Sequence, residues 1–435
     1  MKRACVLIAL LTLLGTGCGD NGGSTAPADL NFTSPTNASL EAIDCARQRA
    51  YVPVPTSGKT DAEVEVLDLS VDPNVTDPRL KTIDLGHGGV ARGVAIAPKQ
   101  GLALTISGDP SATGFVDEIN ESDNTLVDGS PFPFPTGSEP EPSDGIVFDP
   151  LNGIALISMT STPAECPGGS VTACSGMAKF DPAVNTFSSL IQFNDPVVNF
   201  GLDPGTLISL APSDVTDPIP YAIDLEGGRA CTLTDDSMIS LDGDAEGAAV
   251  DPDTGIWVIG NFADARTTVI NLHGASFSGS VGPCQLDEFG APPSNSINFD
   301  SRTGDYLPGV AINPQTHEAF LTGKLTNTVV LMSLPNNPVK YIGPSDVKST
   351  SARLPAEPDG LQFEASILPY SDTIATCNDR AYVVNAARTF MAEIDLARLR
   401  SNPGAIGTPL PAGTCAGTTT TLGCDNQNGV RFFPL

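Results

Sequence analysis

Three acidic residues stand in the same local position along the chain, one place before a glycine that opens a short apolar phrase. They are Asp144 before Gly145, Glu246 before Gly247 and Asp359 before Gly360. Carboxylates gathered from separate parts of a chain suit a hard cation such as Ca²⁺. The pattern indicates a candidate calcium site. With 51 acidic residues in the chain, these three can equally be turn caps or surface charges.

His87 is the histidine that we treat as a candidate general base. It opens the phrase HGGVARG, near Arg92, which also precedes a repeated glycine. His273 ends a strand phrase and His317 lies in a turn phrase, so structural roles are expected for both. The chain has no Gly-x-Ser-x-Gly elbow and no phosphate loop, and its motifs therefore indicate neither serine hydrolysis nor nucleotide binding.

The elements that position these residues come from an internal repeat. The phrases RGVAIAPKQGLALTI, DGIVFDPLNGIALIS and EGAAVDPDTGIWVIG each give a strand, a Pro-x-x-Gly turn and a second strand. In such a turn proline fixes φ and glycine accepts a positive φ. Weaker copies complete a series of anchor positions at 45, 98, 150, 204, 252, 314 and 377.

A second landmark supports the repeat. A hydrophobic run ends in a short polar residue after each anchor, at Asp68, Asn120, Asp181, Asp224, Asn271, Ser333 and Asp395. The longest spacing belongs to the unit with Cys166 and Cys174, which we interpret as a disulfide that closes an inserted loop. A fourth strand follows in most units, for example RLKTIDL from Arg79.

Four antiparallel strands that recur about every 50 residues are typical of propeller blades. The sequence therefore predicts an all-β fold, a seven-bladed β-propeller, with six or eight blades as alternatives. A helical solenoid is excluded because a 3.6-residue apolar period is almost absent beyond the first residues. In a propeller the strand starts converge around an axial tunnel, so Asp144, Glu246 and Asp359 are expected to point towards one opening.

The phrases RAYVVN from Arg380, RAYVPV from Arg49, GVAINP and EIDL resemble the YVTN family of β-propellers, with relatives among NHL-type propellers. The resemblance covers about residues 40–400 and implies the fold, whereas propellers host binding proteins and enzymes alike. The three acids also resemble the metal site of gluconolactonase-type propellers. That likeness implies an alternative function, a metal-dependent hydrolase or lactonase with its site at the tunnel mouth and His87 as base.

The ends of the chain are expected to close the ring. The last unit lacks a fourth strand of its own, and either GVRFFPL at the C-terminus or LNFTS from Leu30 would supply it. Cys45 and Cys377 hold equivalent places in the first and last units, so a disulfide between them would lock the seam. Cys231 with Cys284 and Cys415 with Cys424 would complete the set. With no Cys-x-x-Cys spacing and three histidines, no zinc site is predicted.

The first residues predict export. Lys2 and Arg3 precede an apolar run that ends at Leu14, well short of the roughly 20 residues of a membrane span. Small residues then lead to Cys18, which resembles a bacterial lipoprotein signal and implies removal of residues 1–17 and lipidation of Cys18. Ordinary secretion is the alternative. Residues 18–38 are predicted to be a flexible tether, and residues 39–435 a single propeller domain.

The net charge of −29 argues against nucleic acid as a partner. The sequence thus predicts a non-enzymatic lipoprotein, held in the membrane by its lipid, that binds a protein or glycan or acts as a scaffold. The resemblance to a lipoprotein signal, with Gly19 after the cysteine, implies the outer membrane or cell surface. Without the lipid the protein would be periplasmic or secreted. Aromatic residues in long loops are expected either to form a binding rim or to fold back over blade edges: Phe132, Phe134, Phe289, Phe299 and Tyr306.

Overall fold

The structure is a computed structural model, and most strands that the repeat predicts lie within the residues that it describes. The described residues are 41–54, 61–73, 76–108, 114–135, 138–139, 145–161, 174–188, 191–193, 200–204, 208–211, 221–232, 245–261, 266–271, 276–278, 285–287, 295–298, 309–322, 328–335, 348–353, 373–377, 379–384, 390–406 and 429–435. The signal, the tether and Cys18 lie outside them, so the predictions for residues 1–38 remain predictions.

The described strands form seven antiparallel sheets of four or more strands. The first sheet has β1 (Ala42–Asp44), β2 (Arg49–Val54), β3 (Asp61–Asp68) and β4 (Arg79–Gly88). The second has β5 (Val90–Ala97), β6 (Leu102–Gly108), β7 (Phe115–Asn120), β8 (Thr125–Leu126) and β9 (Phe132–Pro133). The third has β10 (Ser138–Glu139), β11 (Ile146–Asp149), β12 (Ile154–Ser161), β13 (Cys174–Asp181), β14 (Thr186–Phe187) and β15 (Ile191–Phe193).

The later sheets follow the same plan. The fourth has β16 (Gly201–Asp203), β17 (Ile208–Ala211), β18 (Tyr221–Asp224) and β19 (Arg229–Thr232). The fifth has β20 (Ala245–Asp251), β21 (Ile256–Asn261), β22 (Arg266–Asn271) and β25 (Asn295–Asn298), with a separate hairpin of β23 (Ser276–Ser278) and β24 (Gln285–Asp287). The sixth has β26 (Gly309–Asn313), β27 (Glu318–Thr322), β28 (Thr328–Ser333) and β29 (Lys348–Arg353), and the seventh has β30 (Thr373–Cys377), β31 (Arg380–Val384), β32 (Phe390–Asp395) and β33 (Val430–Pro434).

The repeat predicted the strand ends closely. Each third strand ends at the predicted polar residue, from Asp68 in the first sheet to Asp395 in the seventh. The turn after the first strand also has the predicted geometry, because Gly101, Gly153 and Gly255 take φ values of 67°, 71° and 69°. Two residues that are not glycine take the same place and conformation, Gln48 at 54° and His317 at 51°.

The sheets follow one another around a closed ring. The first strand of each sheet contacts the first strand of the next, in the order β1, β5, β11, β16, β20, β26 and β30, and β30 contacts β1 again. Apolar clusters fill the spaces between neighbouring sheets where the structure describes them. The fold is therefore an all-β β-propeller. We call the end where these first strands begin the strand-start face, and the end where they turn into the second strands the hairpin face.

The seam between the seventh and first sheets is fastened twice. Cys45 and Cys377 form the disulfide that the repeat predicted. The C-terminal strand β33 pairs with β32, so GVRFFPL supplies the missing fourth strand; Leu30 of the other candidate, LNFTS, lies outside the described residues. Arg431 of β33 also reaches the carbonyl oxygens of Leu69 (3.4 Å) and Val71 (3.5 Å) in the first sheet.

One short helix, α1 (Leu396–Ser401), and a 3₁₀ turn, Pro403–Ala405, follow the third strand of the seventh sheet. The Asp395 carboxylate caps α1 by accepting from the Arg398 amide (3.0 Å). Within the described residues, no helix is long and apolar enough to cross a membrane. The segment from Gly282 to Leu307 contains β24 and β25, and β25 is the fourth strand of the fifth sheet.

Candidate functional site

The residue just before the repeated glycine lies in a β-bulge in the two sheets where the pairing can be followed through it. The register between β5 and β6 shifts between Ala91 and Gly93, and that between β20 and β21 shifts between Ala245 and Gly247. The bulged residues are Arg92 and Glu246. Because a bulge re-aims the extra side chain, this position is structurally distinct at the strand-start face. The Arg92 side chain is buried there.

The side chains of the three predicted calcium ligands lie outside the part of the chain that the structure describes. Asp144 and Asp359 lie outside it, and for Glu246 only the backbone in β20 is described. The convergence of the three carboxylates on one point therefore remains a prediction.

His87 lies in a buried polar cluster rather than in a solvated loop. It is the ninth residue of β4, which extends farther than the sequence predicted, to Gly88. Its Nε2 is 3.0 Å from both carboxylate oxygens of Asp117 and 3.3 Å from the Ser107 hydroxyl. The centre of its ring lies 4.7 Å from that of Phe115, with the two rings tilted by 40°. Asp117 and Ser107 are fully buried, and the side chain of His87 is 13% exposed.

The cluster has the residue types of a hydrolytic triad but not the arrangement. In a triad the carboxylate holds one ring nitrogen while the serine uses the other. Here the Ser107 hydroxyl donates directly to Asp117 (2.5 Å), and both residues meet the same nitrogen of His87. The geometry suits a polar link between the first and second sheets, and it does not favour His87 as the base of a serine nucleophile.

At the hairpin face, short polar residues cap the turns. The Asp149 carboxylate accepts from the amides of Leu151 (2.8 Å) and Asn152 (3.2 Å), and Asn313 accepts from the Gln315 amide (3.0 Å). Asp251 accepts from the Asp253 amide (3.1 Å) in the same way. The repeat therefore places a polar residue before the proline because it caps the turn through the backbone.

Polar side chains also join neighbouring sheets at this face. Lys99 donates to the Pro150 carbonyl (2.9 Å), and Lys179 donates to the Leu225 carbonyl (2.6 Å). Arg400 of α1 makes two bonds to Glu318 in the sixth sheet, each of 2.6 Å. The hairpin face is thus occupied largely by contacts that hold the ring together.

A charged group at this face joins the first and second sheets. Arg47 donates to Asp44 (2.8 Å) and to Glu121 (2.9 Å), and both carboxyl groups are buried. Burial, and then the charge of Asp44, raise the pKa of Glu121 to about 7, although Arg47 opposes the shift. Tyr51 lies against the same group, and burial raises its pKa to about 12.

Glu118 is a buried carboxyl group between the second and third sheets. The Asn185 amide donates to it at 3.0 Å when the amide is oriented to satisfy both residues. Burial raises the pKa of Glu118 to about 7. The folded protein therefore binds this proton more tightly than the unfolded chain does. The contribution of Glu118 to the free energy of unfolding falls as the pH rises from about 4.5 to about 7, since the folded state must then bury a charge.

Glu118→Gln removes this ionisation. We expect the variant to melt a few degrees above wild type at pH 8 and at nearly the same temperature at pH 5. Thermal unfolding followed by circular dichroism at both pH values measures the effect. The control is Glu226→Gln, at an exposed turn residue. A gain of equal size at both pH values would contradict the assignment.

Of the two alternatives for the loop aromatics, the structure confirms the second for Phe132 and Phe134, which fold back instead of forming a rim. Phe134 is 3% exposed, and Phe132 packs with it against Phe180 and Phe187 between the second and third sheets. The rings of Phe132 and Phe180 lie 5.8 Å apart, and those of Phe134 and Phe187 5.7 Å apart. They fold back over the blade edges because burial of their apolar area is favourable. Phe289, Phe299 and Tyr306 lie outside the described residues.

The other cysteine predictions remain open. Cys174 begins β13 and Cys231 lies in β19, while their predicted partners Cys166 and Cys284 lie outside the described residues. Cys415 and Cys424 lie outside them as well.

No protein-family model matches this chain, and no curated protein matches it. Similar solved structures include hydrazine synthase from Kuenenia stuttgartiensis, at 11% identity over 84% of this chain and 95% of that chain, with a TM-score of 0.49. A functionally unknown protein from Desulfotomaculum acetoxidans has the same identity and TM-score over 84% of this chain and 93% of that chain. The β-propeller domain of Cps50 (Swd1) from Myceliophteria thermophila has 10% identity and a TM-score of 0.44, over 83% of this chain and 97% of that chain. At these values the propeller assignment depends on the sheets of the chain itself.

Proposed function

We propose that this chain is an exported lipoprotein whose seven-bladed, YVTN-like propeller binds a protein or glycan through its strand-start face. Each of the seven sheets is one blade in this proposal. Cys18 carries the lipid, the preceding residues are removed, and residues 18–38 tether the ring to the outer membrane. The protein acts as a binding or scaffolding module rather than as an enzyme.

The proposal depends on the two connections that close the ring, one covalent and one by strand pairing. The Cys45–Cys377 disulfide and the pairing of β33 with β32 hold the last sheet to the first. A disulfide of this kind suits an oxidising compartment outside the cytoplasm. A ring fixed at its seam is a rigid frame, and binding residues are commonly placed on loops that such a frame positions.

The difference between the two faces supports the strand-start face as the binding surface. At the hairpin face, four-residue turns join the first two strands of every sheet but the seventh, and side chains such as Lys99 and Arg400 bond between sheets. Three connections that leave fourth strands at the strand-start face are longer: 12 residues separate Thr232 from Ala245, 10 separate Asn298 from Gly309, and 19 separate Arg353 from Thr373. Segments of this length between strands are often functional.

The experiment places a photo-crosslinking amino acid at one exposed valine on each face of the full-length protein. Val90 begins β5 at the strand-start face and is 41% exposed, whereas Val184 lies in a hairpin-face turn and is 62% exposed. Both variants are expressed in a Gram-negative host, irradiated in intact cells and probed for crosslinked envelope proteins and glycans. We expect a discrete adduct from position 90 and none from position 184.

The same expression host is used to test the lipid anchor at Cys18. Cys18→Ser should move the protein from the membrane fraction to the soluble periplasmic or secreted fraction, because one small side-chain change removes the site of acylation. Equal adducts from both faces, or none from position 90, would contradict binding through the strand-start face. An unchanged distribution of Cys18→Ser would contradict the lipid anchor alone.

A further inference from the structure

Two neighbouring hairpin turns bring together three side chains that bind metals in proteins. Asp251 and Asp253 come from the turn of the fifth sheet and His317 from the turn of the sixth. A carboxylate oxygen of each aspartate and one ring nitrogen of the histidine all lie within 4.8 Å of one another. Asp251 and His317 stand 66 positions apart in the chain, so only the closed propeller brings them together.

The backbone of each turn fixes its share of the cluster. Asp251 is the last residue of β20, is fully buried, and is held by the Asp253 amide. His317 takes the turn position that Gly255 takes in the fifth sheet, with φ of 51°. Its Nδ1 lies 2.7 Å from Asp251 Oδ2. A histidine therefore takes a backbone conformation that favours glycine, and its side chain reaches the neighbouring sheet.

A buried hydroxyl group points independently to a missing ligand. Thr254 is 1% exposed, and its Oγ1 has no hydrogen-bond partner among the described residues. The hydroxyl lies near the Asp251 carboxylate, although it does not reach hydrogen-bond geometry with it. A buried hydroxyl without a partner costs free energy. A metal-bound water beside Asp251 would satisfy it.

We infer that the junction of the fifth and sixth sheets binds a zinc ion through Asp251, Asp253 and His317. One imidazole and two carboxylates with a fourth position for water are a donor set that Zn²⁺ accepts. Ca²⁺ prefers a shell of oxygen atoms only, so the histidine argues for a transition metal. The acidic surface of the protein, with its net charge of −29, favours the approach of a cation.

The required movements are small. Ligand atoms about 2.0 Å from a tetrahedral zinc ion lie about 3.3 Å apart. The Asp251–His317 contact must open slightly, and the exposed Asp253 side chain must turn inwards. The ion replaces the proton between Nδ1 and the Asp251 carboxylate, and that proton is released to solvent. The bound ion would fasten the fifth sheet to the sixth at the hairpin face.

The test uses the full-length protein in detergent, stripped with EDTA and titrated with ZnCl₂, or with CaCl₂ as the comparison. Bound metal is measured by mass spectrometry after gel filtration, and stability by thermal unfolding. We expect about one zinc ion per chain and a rise in melting temperature with Zn²⁺ but not with Ca²⁺.

Two variants separate the site from the fold. Asp253→Asn changes an exposed turn residue. His317→Gln is suited to the turn because Gln48 takes the same position in the first sheet, with φ of 54°. Both should lose zinc affinity by roughly tenfold or more. Asp253→Asn in EDTA should melt with wild type. Asp123→Asn, at an exposed turn acid of the second sheet, should bind zinc as wild type does. Equal zinc binding by Asp253→Asn and wild type, or no zinc on wild type, would overturn the inference.

Discussion

Cys45→Ser combined with Cys377→Ser is expected to lower the free energy of unfolding by about 4 to 6 kcal/mol. The disulfide joins residues 332 positions apart, so it closes nearly the whole propeller into one loop. In the chain-entropy account, the restriction of the unfolded state grows with the length of the closed loop. Because the entropy of unfolding is about 2.1 cal/mol/K per residue, the melting temperature of a domain of this size should fall by roughly 5 to 7 °C.

The measurement is thermal unfolding of the oxidised wild type and the oxidised double variant. A reducing agent acts on every disulfide, so it does not replace the variant. Treatment of the double variant with iodoacetamide before unfolding checks that no new free thiol has appeared. A melting temperature within about 1 °C of wild type would mean that the apolar seam and β33 close the ring without help from the cross-link.

Phe433→Ala should be the most damaging single substitution at the seam. Phe433 is fully buried between the seventh and first sheets, in a cluster with Ile43, Val52, Tyr382 and Met391. Removing a buried phenylalanine side chain costs about 3–5 kcal/mol, because the apolar contacts are lost and a cavity remains. The loss should shift the midpoint of urea unfolding downwards without changing its slope.

The neighbouring residue provides the matched control. Phe432 lies on the opposite side of β33, where it is only partly buried and packs against the cluster between the sixth and seventh sheets. Phe432→Ala should therefore cost clearly less than Phe433→Ala, since less apolar area leaves contact. Equal losses would indicate that both changes act by releasing β33 as a whole rather than by opening the seam.

The repeat was readable from the sequence because its signals are local. A proline and a glycine three places later specify a hairpin turn, and an Asp or Asn at a strand end caps it. These signals located the ends of first strands such as Asp149 and Asp251, and third-strand ends such as Asp224. The place of Cys45 and Cys377 within the same frame was enough to predict their disulfide.

Local sequence signals did not indicate how side chains of neighbouring sheets contact one another. The phrase around His87 did not indicate that its ring lies against that of Phe115 and that it bonds to Asp117 of the next sheet. Phe132 and Phe134 were candidates for a binding rim, and they pack inwards. A β-bulge at Arg92 or Glu246 leaves the spacing to the next glycine unchanged, so the sequence pattern did not reveal it.

The sequence by itself thus determined the strand order, the turn chemistry and the partners at the seam. Alternation along a strand and φ preferences in a turn act over a few residues. The tertiary structure alone decided that His317 meets Asp251, that Arg47 bridges Asp44 and Glu121, and that Glu118 is buried. Such contacts join sheets whose residues are often more than 60 positions apart, and only the closed ring fixes the distance between them.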